Sequence, residues 1–136
     1  MGKLIIHCDG ASRGNPGEAG IGYIIRNESG EVLEEASYYL GKATNNVAEY
    51  SALVRALQDC LKLGCREVEA YLDSELVVKQ INGEYRVKNE GLKPLYKQAM
   101  GLLETLDKFK VKHIPRAKNK DADALANKGI DDILTD

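Results

Sequence analysis

The chain has 136 residues, 43% hydrophobic and 29% charged, with a net charge of −2. That length suits one domain with a real core, and the composition is that of a soluble globular protein. Any surface for nucleic acid must therefore be local, and the apolar run in MGKLIIHCDG is too short for a signal peptide or membrane span, which points to the cytoplasm.

Residues 3–9 form a strongly apolar strand. Residues 19–26 and 31–39 follow as strands joined through Asn27, Glu28, Ser29 and Gly30, so the three read as an antiparallel meander. Thr44, Asn45 and Asn46 supply the cap of a helix over 47–63, which Gly64 ends. Residues 67–72 are a strand, 74–81 a helix and 83–92 a polar connection. Pro94 suits the first turn of a helix ending near Asp107. Residues 110–114 form a last strand, broken by Pro115, and a final helix begins over 122–128. This order implies one α/β domain over residues 1–136, with a mixed sheet whose later strands return parallel to the first through right-handed crossovers. Ligands on such sheets bind beyond the carboxyl ends of the parallel strands.

Four carboxylates stand out against this pattern. Asp9 ends the first strand and precedes Gly10, Gly14, Asn15, Pro16 and Gly17, a stretch whose backbone can approach a bulky ligand such as a sugar-phosphate chain. A strand-ending Asp equally caps a turn. Glu49 is more telling: Ala52, Leu53, Ala56, Leu57 and Cys60 lie on its own helical face, so it heads the apolar stripe. Its competing role is to serve the helix dipole or a capping box. Asp73 closes a strand where either it or Ser74 can cap the next helix. Asp123 lies in 120–128, beside Leu125 and Ala126, which look core-facing.

Acids converging at one sheet edge repel unless cations or raised pKa values relieve them. Carboxylates without cysteine and with few histidines select Mg²⁺ or Mn²⁺ over Zn²⁺. Two such ions roughly 3.5–4 Å apart are the arrangement used for in-line phosphoryl displacement. Asp9, on the central strand, is the natural bridging ligand. Cys8, Cys60 and Cys65 contain no CxxC pair and read as small core residues. His7 reads as a core histidine, and Tyr85 and Tyr96 as packing residues.

The phrases DGASRGNPGEAGIGYII, TNNVAEYSALVRAL, LDSELVVKQI and NKDADALAN resemble, in order and spacing, the motifs of type 1 ribonucleases H, in the short form that lacks a basic protrusion. The resemblance covers nearly the whole chain. It implies a ribonuclease H-like fold, with a five-stranded mixed sheet flanked by helices. The implied activity is endonucleolytic, two-metal hydrolysis of the RNA strand of RNA–DNA hybrids, with Mg²⁺ or Mn²⁺, leaving 5′-phosphate and 3′-hydroxyl ends. Asp9, Glu49, Asp73 and Asp123 match the metal-binding acids, with Asp9 bridging and Glu49 also sensing the ribose 2′-OH. Asn15, Asn45 and Asn46 match residues that contact the hybrid, and Gly10 joins them through its backbone. Thr44 matches a DNA-phosphate contact that Lys42 can assist.

Three departures qualify the match. Arg116 resembles the arginine that some relatives use in place of a loop histidine; it is favoured over His113, which belongs to the strand, and its role would be electrostatic. Glu75 stands where many relatives carry a substrate-contacting glutamine. The basic handle is missing, and Arg86, Lys88 and Lys93 compensate only in part. The run 108–120 carries Lys108, Lys110, Lys112, Arg116, Lys118 and Lys120 and no acid; it is either a solvated edge or a local patch for phosphates. The implied partner is an RNA–DNA hybrid, with double-stranded RNA open as a second; no membrane or protein partner is implied, and a monomer is expected. The competing readings are a non-catalytic hybrid- or RNA-binding module, a related 3′→5′ exonuclease, and an α/β domain whose acids only cap helices.

Overall fold

The computed structural model describes residues 2–134. In chain order these form β1 (Lys3–Ser12), β2 (Gly17–Arg26), β3 (Val32–Ala43), α1 (Asn45–Lys62), β4 (Glu67–Leu72), α2 (Glu75–Ile81), α3 (Lys93–Glu104), β5 (Lys108–His113) and α4 (Lys120–Leu134), with a 3₁₀ turn over Arg116–Lys118. The strands make one five-stranded sheet in the order β3-β2-β1-β4-β5. β2 and β3 pair antiparallel, β1 pairs antiparallel with β2, and β1–β4 and β4–β5 are parallel. The mixed α/β architecture expected from the element order is therefore present.

Side chains alternate across each strand, so the sheet has two different faces. Leu4, Ile6 and Cys8 of β1, Ile21, Tyr23 and Ile25 of β2, and Val68, Ala70 and Leu72 of β4 join the main core. The α1 stripe Ala52, Leu53, Ala56, Leu57 and Cys60 is buried in that core, as its spacing requires. On the opposite face α4 lies over β1, β2 and β3. Its seat is made by missing side chains: a Cβ on Gly22 would meet the Ala126 nitrogen at 2.4 Å, and one on Gly20 would meet the Ala126 oxygen at 2.3 Å. Only glycine admits that approach.

Several boundaries differ from the sequence reading. β1 continues through Ser12 instead of ending at Asp9, because Gly10, Ala11 and Ser12 stay in the ladder opposite Ile21, Gly20 and Ala19. β3 likewise runs on to Ala43, opposite Gly17. α3 ends at Glu104 rather than near Asp107, β5 begins at Lys108, and α4 spans Lys120–Leu134. His7 does not sink into the core; it is half-buried and stacks on Tyr71, with ring centroids 5.1 Å apart. Cys8, Cys60 and Cys65 are buried and free, in keeping with core roles. Among the described residues no helix is long and apolar enough to cross a membrane.

Candidate active site

The site begins where two strands part. The parallel ladder between β1 and β4 ends at the pair His7↔Tyr71, while β1 goes on pairing with β2 as far as Ser12. Asp9 and Asp73 stand two residues beyond that last parallel pair, at the same level of the sheet. Past this point β1 has backbone donors on its open side with no strand to receive them, and such donors need partners. The first turns of α1 supply them: Glu49 Oε1 accepts from the Gly10 amide at 3.1 Å, and Asn45 Oδ1 accepts from the Ser12 amide at 3.1 Å. Helix α1 thus stands in for the absent strand, which is what brings Glu49 over the sheet end.

The approach depends on Gly10, where a Cβ would lie 2.2 Å from the Ala48 carbonyl carbon. Thr44 caps α1 by accepting from the Val47 amide at 3.2 Å, and Asn15 Oδ1 accepts from the Asn45 amide at 3.2 Å. Asn15 and Thr44 therefore hold the loop and the helix start. Glu49 closes no capping box, since its carboxylate is on Gly10.

Asp9 and Glu49 are buried and Asp73 is half-buried, and one carboxylate oxygen from each lies within 4.8 Å of those of the other two. Ser74, and not Asp73, caps α2, by accepting from the Val77 amide at 3.3 Å. Asp73 is thereby left to the cluster. Burial, followed by the closely placed Glu49 carboxylate, pushes the Asp9 carboxyl far above the usual range. Burial also raises Glu49, with the Asp73 charge adding to it. Glu49 Oε2 is buried with no hydrogen-bond partner. A cluster of oxygen donors around an unsatisfied buried carboxylate oxygen fits a hard divalent cation, which would supply both the missing partner and the missing positive charge.

Asp123 comes from the first turn of α4 and borders the same cleft, of about 450 Å³, without joining the tight group of three. The Asn127 side-chain amide donates to its carbonyl oxygen at 3.0 Å and to Oδ1 at 3.4 Å. Arg116 lines the cleft with its guanidinium 3.6 Å from Asp123 Oδ1. Gly10, Asn45 and Asn46 line it as well. Lys42 does not; it is exposed on β3, opposite Glu18. Glu75 is also outside, exposed and paired with Lys79 at 2.8 Å, and it borders a separate groove with His113. Of the two alternatives for the loop position, then, Arg116 faces the carboxylates and His113 does not.

One residue escaped the sequence reading. Asn119 is 1% exposed; its amide group donates to the Cys8 carbonyl at 3.0 Å and its own carbonyl accepts from the Asp123 amide at 3.0 Å. It ties the start of α4 to β1 beside Asp9. An asparagine just before a helix reads as a cap, but the Asn119 Oδ1 has no hydrogen-bond partner, so that signal would have pointed to a different role.

The chain matches the Reverse transcriptase-like family over residues 7–129. The crystal structure of RNase H1 from the archaeon Halobacterium salinarum is 40% identical, with a TM-score of 0.93, covering 96% of this chain and 98% of that one. LC11-RNase H1, isolated from compost by a metagenomic approach and solved in complex with an RNA/DNA hybrid, is 46% identical, with a TM-score of 0.91 over 96% of this chain and 99% of that one. A ribonuclease H of Paracidovorax citrulli is 37% identical over 98% of both chains. A bifunctional protein of Mycobacterium tuberculosis is 44% identical over 95% of this chain, which spans only 36% of that protein's length. With the sheet order, the carboxylate cluster and these near-complete matches in agreement, the chain belongs to the type 1 ribonuclease H family.

Proposed function

We propose that this chain is an endonuclease that hydrolyses the RNA strand of RNA–DNA hybrids, with residues 1–136 acting as one ribonuclease H-like domain. The observation that carries the reading is the convergence of Asp9, Glu49 and Asp73, with Glu49 Oε2 buried and unpartnered, in an open cleft that Asp123 also lines. The relative solved with an RNA/DNA hybrid supports the substrate. Two Mg²⁺ or Mn²⁺ ions bound by these acids would supply Lewis-acid stabilisation of the phosphoryl oxygens and a water of lowered pKa.

The chain's own residues do the positioning. Asp9, buried and on the central strand, would suit a bridging role. Glu49 keeps Oε1 on the Gly10 amide, so its orientation is fixed while Oε2 remains for a ligand or for the ribose 2′-OH. Asp73, just after β4, and Asp123, in the first turn of α4, both line the cleft and would supply the remaining carboxylate ligands. Arg116 offers a permanent positive charge to a phosphate at the cleft wall and exchanges no proton near neutral pH. Asn45 and Asn46 border the substrate path, with Asn15 and Thr44 holding their backbone.

The test is incubation of the pure chain with labelled hybrid, RNA duplex and DNA duplex, each with Mg²⁺ and with Mn²⁺. Cutting of the RNA strand of the hybrid, including closed circular hybrids that no exonuclease can enter, is expected. Tight binding without cutting overturns the proposal in favour of a non-catalytic module. Asp73→Asn is expected to lower turnover by at least about a hundredfold with the fold intact, since it removes charge that stabilises the transition state.

A further inference from the structure

α4 covers β1, β2 and β3, and beyond its edge the same face of β4 and β5 turns outward. The register identifies its residues. Asp9 pairs with Gly22, which faces α4; His7 lies on the same face of β1 and pairs with Tyr71; Tyr71 in turn pairs with Lys112. Continuing down β5, Lys110 stands opposite Glu69 and Lys108 opposite Glu67. Lys108, Lys110 and Lys112 are exposed, while Val111 between them is buried on the other face.

These lysines form a straight column with a rise of roughly 6.6 Å between successive members, because alternate residues of a strand share a face. That spacing is comparable with the separation of successive phosphates along an extended nucleic-acid strand. Lys3 joins the face from β1, within 3.8 Å of Glu69, which also lies 3.9 Å from Lys112. Four lysines against Glu67 and Glu69 leave the face net positive on a chain whose total charge is −2. Its upper end is continuous with the carboxylate cleft: Lys112 is level with Tyr71, two residues short of Asp73, and the chain leads from β5 through Pro115 to Arg116 in the cleft wall.

We propose that this face carries the single-stranded RNA that continues out of the cleft beyond the hybrid duplex. A single row of cations suits one strand, whereas a duplex presents two phosphate rows across a groove. The inference rests on the ribonuclease reading in one respect, that the strand lying against the carboxylates is RNA. It extends that reading by giving the enzyme a preference for hybrids with an unpaired RNA extension.

The test compares the wild-type chain with the triple variant Lys108→Gln, Lys110→Gln, Lys112→Gln. Fluorescence anisotropy in EDTA, over a range of salt, measures binding of a blunt hybrid and of the same hybrid with a 5′ RNA, a 3′ RNA or a DNA extension. One of the two RNA extensions is expected to tighten wild-type binding several-fold, and the triple variant to lose that gain. The salt dependence for the extended hybrid should become shallower by about two in log–log slope, at about 0.7 per single-strand phosphate contact. Blunt-hybrid cleavage with Mn²⁺ should remain within about twofold, and thermal melting verifies the fold; if the triple variant fails to fold, Lys110→Gln alone should lower the slope by about 0.7. No gain from either RNA extension, an equal gain from DNA, or a gain that survives in the variant would overturn the proposal and leave the lysines as guards of the sheet edge. Absence of any cleavage by the wild-type chain would instead defeat the ribonuclease reading, while binding in EDTA still reports on the lysine face.

Discussion

Glu49 presses one carboxylate oxygen onto the Gly10 amide and keeps the other buried and unpaired. A buried carboxylate oxygen without a partner, on an acid next to Asp9 and Asp73, destabilises the metal-free protein until a cation arrives. Glu49→Gln should therefore act in opposite directions on two measurements. Hybrid cleavage should fall by at least about a hundredfold, while calorimetry in chelator should show a melting temperature at or above that of the wild type. Asn119→Ala is expected to cost about 1–3 kcal/mol, because the buried Cys8 carbonyl loses its donor. Denaturant titration checks that value, and a loss of Mn²⁺ affinity in the refolded variant would show that Asn119 also keeps α4 in place. Asp9, Glu49 and Asp73 each broke a local pattern of strand or helix but each also had a capping role open to it, and Asp123 taken alone was an ordinary helix-surface acid, so the four were legible only as a group. Asn119 was not legible, because its significance lies in a bond to a residue 111 positions away.

Among the elements, the contrast between α1 and β1 shows what local pattern can reveal. The α1 stripe and the Thr44 cap follow from spacing within a few residues, and both are present in the structure. The continuation of β1 through 10–12 depends on pairing with 19–21, and a stretch of glycine, alanine and serine carries no strand signal of its own. The length of β3 was hidden in the same way. The seat of α4 on Gly20 and Gly22 was also invisible, since two strand glycines read as weak strand until the helix above them is known. It is testable: Gly22→Ala places a methyl against the backbone of Ala126 and Ala122, which cannot rotate away. A loss of about 1–3 kcal/mol is expected from such overpacking. Because the helix that must shift carries Asp123, cleavage should fall in the same variant.

At the scale of the whole molecule, the carboxylate cluster links stability to pH and to metal. Without metal, Asp9 and Glu49 hold their protons more tightly in the folded chain than in the unfolded one. The stability this confers is fully present below the ordinary carboxylate range, about pH 4, and is lost as pH rises through the elevated folded values. The melting temperature in chelator should accordingly decline from weakly acidic to neutral pH. Saturating Mn²⁺ should raise it, and by more at pH 7 than at pH 5, as mass action on the folded state requires. A melting temperature indifferent to both pH and Mn²⁺ would contradict the reading of the cluster as a metal site.

The bond from the Gly10 amide to Glu49 has one more consequence. Most amides in a central strand point at a neighbouring carbonyl, whose charge never changes. This one points at a group that gains or loses charge whenever a proton or a cation reaches it. Glycine amide signals also fall in an uncrowded region of a nitrogen–proton NMR spectrum. In an isotope-labelled sample the Gly10 resonance is therefore a built-in reporter, able to register occupancy of the catalytic centre without substrate, label or turnover.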